Sequence, residues 1–241
     1  MNQNENGFLG ALAPRDLELI RPHLKTVALV HGETLAETGA PITQIYFPHR
    51  GLISIVVALE SGDRIEAAVA GRSGVLGASS ALGVHVHLNT AIVQMPGSAS
   101  VMPAEQFAQA GSQSENIRIL AFQHTQFMLA QGQQSAACNA RHHIPQRLAT
   151  WLLRVRDAAG QDELDLTQEF LAQMLGVQRA SVSLVAADLQ NRGLIRYRRG
   201  NLQITDLEGL KASSCECYQA VRKQYERLFE IEQTRSAVRS G

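Results

Sequence analysis

The chain has 241 residues, 45% of them hydrophobic, and its 22 basic and 22 acidic side chains give a formal net charge of zero. This length suits two domains that bury their cores without disulfides. Three cysteines without a Cys-x-x-Cys pair argue against a disulfide framework. The longest strongly apolar run, residues 53–59, is too short to cross a bilayer. With no signal-peptide pattern at the start, we expect a cytoplasmic protein without a membrane partner.

The charge is divided unevenly along the chain. Residues 1–110 carry six basic and nine acidic side chains, whereas residues 111–241 carry sixteen and thirteen. Only the second half therefore has the basic balance expected of a segment that binds a polyanion.

The N-terminal part predicts a short helix followed by an antiparallel β domain. Pro14 opens a segment in which Leu17, Ile20 and Leu24 lie at helical spacing. From residue 26 to about residue 102, short apolar stretches are separated by glycine-containing turns. These stretches are residues 27–30, 42–47, 52–59, 65–69 and 90–95. Strands at this spacing predict an antiparallel barrel or sandwich.

Residues 115–142 predict one long helix, because the segment has no proline and only Gly132 interrupts it. No charged residue lies between Arg118 and Arg141, and this neutral stretch contains five glutamines. A solitary exposed helix would carry charge, and a membrane helix would not carry so many glutamines. We therefore expect a dimerisation helix that packs between the β domain and a second copy of itself.

Residues 167–204 carry the most specific pattern in the chain, a helix, a three-residue turn, a second helix and a hairpin. Ahead of them, Pro145 opens a helix that extends to Ala159. Ala172 is small where two helices would cross, and Gly176 tolerates the positive φ of a tight turn. Five aliphatic residues then occupy the inner faces of the two helices: Leu171, Leu175, Val177, Val182 and Val185. This pattern predicts a helix-turn-helix.

The hairpin after the second helix has the pattern of a wing. Ile195 and Tyr197 alternate with Arg196 and Arg198, and Arg199 begins a turn with glycine and asparagine. Five arginines and one acid lie between residues 179 and 199, which is the charge pattern of a nucleic-acid surface. We expect Arg196, Arg198 and Arg199 to meet phosphates of double-stranded DNA. A protein–protein interaction module remains the alternative.

The segment 166–183, LTQEFLAQMLGVQRASVS, resembles the Crp/Fnr family of bacterial transcription regulators, as does the order of elements. The resemblance implies an α+β fold with a jelly-roll-like antiparallel β-roll sensor domain over residues 1–114. It further implies a dimerisation helix over 115–143 and a winged helix-turn-helix domain over 144–241. A homodimer would read a two-fold symmetric operator in successive major grooves, with RNA polymerase as a further partner.

The resemblance also assigns DNA contacts. Arg179 matches a base-reading position, where it could bond a guanine edge, and Ser181 and Ser183 match small hydroxyl positions on the same helix. Three residues are better placed for phosphates: Gln178, Thr167 and Gln168. Ala180 and Leu184 depart from the pattern, since a glutamate and an arginine are frequent there. We therefore predict a half-site different from that of the cyclic-AMP receptor protein.

The sensor domain lacks the family's signature for a cyclic nucleotide. The matching stretches read Gly-Val-Leu-Gly at residues 74–77 and Asn-Thr-Ala at residues 89–91, without the arginine and glutamate that bind phosphate and ribose. No Asp, Glu, Lys or Arg lies between Ser73 and Ala104, so a buried phosphate would have no charged partner. We predict no cyclic-nucleotide binding and leave the effector unidentified.

The cysteine and histidine residues raise the question of a metal or cofactor. No cysteine precedes Cys138, which excludes the N-terminal iron–sulfur cluster of oxygen-sensing relatives. A metal-binding barrel enzyme or sensor could use His85 and His87, but the next acid is Glu105. We therefore predict no metal, no cofactor and no catalysis.

Other histidines and cysteines are assigned structural roles. His124, like the roll histidines, is expected to be structural rather than a haem ligand. The pair His142-His143 is interpreted as a helix-end cap rather than as a metal ligand. Cys215 and Cys217 could form a redox relay with Cys138 or pack a tail helix over residues 213–238 onto its domain, and their role stays open.

Overall fold

A computed structural model describes residues 6–198 and 200–239, with side chains placed up to residue 229. Its N-terminal part begins with helices α1 (Gly7–Gly10) and α2 (Pro14–Ile20), which a 3₁₀ turn at Arg21–His23 follows. Five strands come next: β1 (Lys25–Leu29), β2 (Thr34–Ala36), β3 (Gln44–Ala58), β4 (Arg64–Ala70) and β5 (Thr90–Pro103). The predicted first helix is confirmed, although it ends at Ile20.

The strands form one antiparallel sheet in the order β1-β5-β3-β4, with β2 also paired to β5. This confirms the antiparallel β-roll. The stretches 42–47 and 52–59, predicted as separate strands, belong to the single strand β3. Gly51 allows this, because it adopts φ +90° and a Cβ there would lie 2.6 Å from the Met95 carbonyl oxygen.

Two helices follow the roll. Helix α3 (Ala104–Gln113) was not predicted, and α4 (Glu115–Arg141) is the predicted long helix. The Ser114 hydroxyl caps α4 by accepting a hydrogen bond from the Ile117 N–H at 3.2 Å. One face of α4 is buried against the rest of the chain through Ile117, Ala121, His124, Gln131 and Cys138.

The opposite face of α4 is open. Its exposed residues recur at alternating intervals of four and three: Phe122, Gln126, Leu129, Gln133, Ala136 and Ala140. Phe122 and Leu129 are each 54% exposed, which is unusual for large apolar side chains. Alternation of four and three is the spacing of a coiled-coil seam.

The C-terminal part is a winged helix-turn-helix. Its elements are α5 (Ile144–Ala159), β6 (Glu163–Asp165), α6 (Gln168–Leu175), α7 (Arg179–Asn191), β7 (Ile195–Arg198), β8 (Asn201–Ile204), α8 (Leu207–Ser213) and α9 (Cys217–Arg239). The strands pair in the order β6-β8-β7, so the predicted hairpin carries a third strand that sequence reasoning missed. One apolar cluster includes Leu171 and Val182 of this domain together with Leu52 and Val56 of the roll. The roll and the winged helix-turn-helix domain therefore pack against each other.

The tail helix α9 lies along α4 as well as against α5. Its Tyr225 ring packs edge-on against Phe127 of α4, with the ring centroids 5.3 Å apart. The tail therefore packs on its own domain, as expected, and also on the long helix α4. Among the described residues, no single helix has both the length and the apolar character needed to cross a bilayer.

Candidate nucleic-acid interface

The helix-turn-helix is fixed by capping at both ends of α6. The Thr167 hydroxyl accepts a hydrogen bond from the Phe170 N–H at 3.1 Å and so caps the first helix. Gly176 ends it with φ +62°, as the turn chemistry predicted. The chain can then turn through three residues and start α7 at Arg179.

The start of α7 presents an exposed cation to solvent. Arg179 is 66% exposed, and the nearest carboxylate oxygen, on Glu169, lies 3.9 Å from its guanidinium. An exposed pair at that distance contributes little, so a nucleic acid could displace it at small cost. Gln178 is also exposed, and its side chain makes no capping bond.

Two of the predicted contact residues bond to each other instead. The Ser183 hydroxyl lies 2.6 Å from the Gln168 side-chain oxygen and 3.0 Å from the Arg179 carbonyl oxygen. Together they tie α6 to α7, and Ser181 is half-buried nearby. The arrangement suits a role in positioning the second helix.

The wing is anchored by one aromatic residue. The Tyr197 hydroxyl donates to the Leu166 carbonyl oxygen at 2.7 Å, and its backbone N–H donates to the Gln190 side-chain oxygen at 2.7 Å. Burial raises the pKa of Tyr197 to about 12, so the phenol stays a neutral donor. Arg196 and Arg198, on either side of it, are exposed. Arg199 lies outside the described residues.

The recognition helix also exposes an apolar side chain. Leu184 is 75% exposed, and Ala180 is exposed one turn earlier. Sequence reasoning noted both as departures from the family pattern but did not count them as site residues. Their outward positions could have been found from helical spacing, since they lie four residues apart and away from the buried Val182.

The positions that match the nucleotide-binding signature are occupied by core residues of the roll. Leu76 and Ala91, in the two stretches that match the nucleotide signature, are buried in an apolar cluster with Ile53 and Val93. The hydroxyl of Thr90 lies 3.3 Å from that of Thr38. These residues offer a bound phosphate no positive charge.

The histidines considered as ligands lie in different surroundings. His124 is buried in α4, and its Nε2 accepts a hydrogen bond from the Val75 N–H of the roll at 3.0 Å. Burial lowers the pKa of His124 from 6.5 to about 4, so the ring is neutral. Among the described residues, His85 and His87 belong to no group of three or more potential metal ligands.

The one such group in the described part of the chain lies elsewhere. It consists of Cys138, His142, Cys215 and Cys217 at the junction of α4, α5 and α9. His142 is the C-cap residue of α4 and His143 the N-cap residue of α5, but the His143 side chain makes no capping bond and the His142 ring contacts Cys217 and Glu216.

Comparisons with known proteins support the fold and the domain types. A family model described as a cyclic nucleotide-binding domain matches residues 26–114, and one described as a Crp-like helix-turn-helix domain matches residues 146–213. No curated protein sequence matches the chain at a significant level.

Several solved structures share the architecture. FixK2 from Bradyrhizobium japonicum is 16% identical, with a TM-score of 0.69 over 80% of this chain and 98% of its own. The c-di-GMP-responsive regulator CLP from Xanthomonas campestris is 14% identical, with a TM-score of 0.64 over 80% and 99%. The CRP/FNR-family regulator TTHA1359 from Thermus thermophilus is 22% identical, with a TM-score of 0.59 over 79% and 98%.

The two matched domains are joined by one long helix, and the second of them contains a wing with exposed arginines. Both domain types occur in regulators of the Crp/Fnr family, which bind DNA and form dimers. The chain therefore belongs to the Crp/Fnr family of transcription regulators.

Proposed function

We propose that the protein acts as a homodimer that recognises a two-fold symmetric operator without any catalytic step. The observation that carries this proposal is that one chain has both an exposed cationic surface, on α7 and the wing, and an open apolar seam, on α4. The first surface suits the phosphates and base edges of DNA, and the second suits another copy of the same helix.

The seam supports self-association. The face exposes Phe122 and Leu129 at heptad spacing and carries no charge, so its exposure to water is energetically unfavourable. Pairing with its own copy would bury both residues in a parallel coiled coil. The two α7 helices would then be related by a two-fold axis, which matches the symmetry of a palindromic operator.

The DNA contacts divide into two kinds. Arg179 at the start of α7 is free to bond a guanine edge, and Leu184 and Ala180 offer apolar contact to a thymine methyl group. Gln178, Thr167, Arg196, Arg198 and Arg199 would meet the phosphate backbone. Gln168, Ser181 and Ser183 would hold α7 against α6, with Ser181 and Ser183 close to the groove.

The sensor domain would not take a cyclic nucleotide. The CLP regulator is described as c-di-GMP-responsive, and any such ligand brings phosphate charge that must be matched when buried. The stretch between residues 73 and 104 holds no charged side chain, and the positions of the signature are packed with Leu76 and Ala91. The effector, if the protein uses one, would therefore differ in chemistry. We further propose that the protein acts on transcription in the cytoplasm, with RNA polymerase as a partner.

Selection of bound sites from random duplex DNA tests the proposal. The purified full chain, without added ligand, is expected to enrich an inverted repeat whose half-sites are centred about 10 base pairs or a multiple apart. Enrichment of a single asymmetric site, or of no site at low salt, would overturn the proposal that a homodimer recognises a symmetric operator.

A further inference from the structure

Four side chains that are distant in sequence converge at the end of the dimerisation helix. Cys138 and His142 come from the last turn and C-cap of α4, while Cys215 and Cys217 come from the start of the tail. The Sγ atoms of Cys138 and Cys215 are 3.5 Å apart, and Cys217 Sγ lies 3.6 Å from His142 Nδ1. All four potential ligand atoms lie within 4.8 Å of one another.

These separations match the edges of a metal tetrahedron. With zinc–sulfur bonds of about 2.3 Å and zinc–nitrogen bonds of about 2.0–2.1 Å, tetrahedral angles put sulfur–sulfur edges at about 3.8 Å and sulfur–nitrogen edges at about 3.5 Å. Three thiolates and one imidazole are also a standard ligand set for structural zinc. A disulfide alone would use only two of the four groups.

The compact arrangement favours a single ion over an iron–sulfur cluster. In a [4Fe–4S] cluster each cysteine binds a different iron, and in a [2Fe–2S] cluster the four ligands are divided between two irons, so in both cases the inorganic core separates the ligands. Here the four ligand atoms lie too close together, within 4.8 Å, to surround such a core. The three cysteines are buried, and His142 is half-buried.

The surroundings of the four groups are those of a metal site. The His142 Nε2 lies 3.2 Å from a carboxylate oxygen of Glu216, which would hold Nδ1 directed at the sulfurs. The Gln134 amide donates to Cys217 Sγ at 3.1 Å, and the Thr150 hydroxyl lies 3.1 Å from Cys215 Sγ. The Cys215 N–H donates to the Thr150 oxygen at 3.1 Å, which leaves the hydroxyl hydrogen free for the sulfur.

A nearby cation offsets the negative charge that three thiolates would bring. Arg147 of α5 interacts electrostatically with Cys138 and Cys215, and its guanidinium donates to the carbonyl oxygen of Leu175, the last residue of α6. The group thus lies between the dimerisation helix, the tail and the first helix of the DNA-reading pair.

We propose that Cys138, His142, Cys215 and Cys217 form a mononuclear tetrahedral zinc site that fastens α9 to the end of α4. On binding Zn²⁺, three thiols lose their protons to solvent as three zinc–sulfur bonds form, and the neutral imidazole donates its Nδ1 lone pair. No electron is transferred. Because α5 starts two residues after His142, the site would set the angle at which the DNA-reading domain leaves the dimerisation helix.

Metal analysis of the full-length protein, purified under reducing conditions, tests the site. The wild type is expected to hold about one zinc per chain. After chelation, added Co²⁺ should give the visible absorption of a tetrahedral ion together with thiolate-to-metal charge transfer. His142→Gln and Cys215→Ser should abolish this spectrum, whereas His143→Gln, which changes an exposed neighbouring histidine, should keep it.

Glu216→Gln provides a milder variant that leaves all four ligands in place. It is expected to weaken zinc affinity by about tenfold, at the lower end of effects from outer carboxylates because Glu216 is exposed. Several results would overturn the proposal: a reduced chain that takes up neither zinc nor cobalt, iron with inorganic sulfide at the site, or equal loss of metal in His142→Gln and His143→Gln. A wild-type cobalt spectrum without tetrahedral bands would do so even if the cysteine variant failed to fold.

Discussion

Glu66 of β4 accepts a hydrogen bond from the indole N–H of Trp151 in α5 at 2.8 Å, across the boundary between the roll and the DNA-reading domain. The second oxygen of the same carboxylate accepts a hydrogen bond from the Ser54 hydroxyl at 2.6 Å. Burial raises the pKa of Glu66, and the opposing influence of the Arg154 charge is smaller. One buried side chain therefore links the roll to the first helix of the C-terminal domain.

Removal of this carboxylate is expected to destabilise the fold. Glu66→Ala leaves the Trp151 N–H and the Ser54 hydroxyl without an acceptor and Arg154 without its opposite charge, at a cost of about 2–4 kcal/mol. Urea unfolding followed by tryptophan fluorescence measures the change, since Trp151 is the only tryptophan. Glu60→Ala, which alters an exposed glutamate, is the control. Equal stability of the two variants would contradict the role assigned to Glu66.

The open face of α4 predicts a dimer that a single charged substitution in the seam dissociates. Leu129→Glu places two carboxylates opposite each other in the proposed seam, where they would be desolvated and repel each other. Light scattering is expected to show a dimer for the wild type and a monomer for the variant. Leu88→Glu alters a leucine of the roll that is 75% exposed and should remain dimeric. A monomeric wild type at micromolar concentration would refute the seam.

Alanine substitutions of different arginines in the DNA-reading domain are expected to impair DNA binding in different ways. Arg179→Ala should lose about 1–3 kcal/mol of discrimination per half-site while keeping nonspecific binding. Arg198→Ala should weaken binding to all sequences and reduce the salt slope by about one unit per copy. Fluorescence anisotropy with specific and scrambled duplexes over a salt series separates the two effects. Arg192→Ala, whose guanidinium bonds Asp188 and Ser213, should change neither.

The buried neutral His124 predicts a specific dependence of stability on pH. Its pKa is about 4 in the folded chain and 6.5 ordinarily, so the unfolded chain binds the extra proton first as the pH falls. The stability contribution is therefore full above pH 6.5 and is lost as the pH falls towards about 4, by about 3 kcal/mol in all.

Unfolding free energies at several pH values check this dependence. His124→Gln keeps an acceptor for the Val75 N–H and is expected to show a shallower loss of stability below pH 6.5 than the wild type. His85→Gln, on an exposed histidine, should follow the wild type. Parallel curves for all three proteins would contradict a buried neutral ring at position 124.

Local chemistry explains which parts of the fold the sequence could predict. The long helix was predictable because the segment from residue 115 to residue 141 has no proline and only one glycine, and the structure confirms it as α4. The helix-turn-helix was predictable because Ala172 and Gly176 have steric roles that few residues satisfy. In each case the signal lies within a short window of the chain.

The features that were missed depend on contacts between distant segments. Strand β6 is three residues long and exists because it pairs with β8, some 36 positions away. The bond between Ser183 and Gln168 depends on the angle at which two helices cross. Cys138 and Cys215 are separated by 77 positions, so spacing alone could not reveal that they meet.

The spacing of half-sites in a duplex tests the central claim most directly. Once the preferred operator is known, about five base pairs inserted between its half-sites rotate one of them to the opposite face of the DNA. Two reading domains held rigidly by paired α4 helices should then lose simultaneous contact, and affinity should fall about a hundredfold, to that of a single half-site. Unchanged affinity for the spaced operator would contradict a symmetric dimer that grips both grooves.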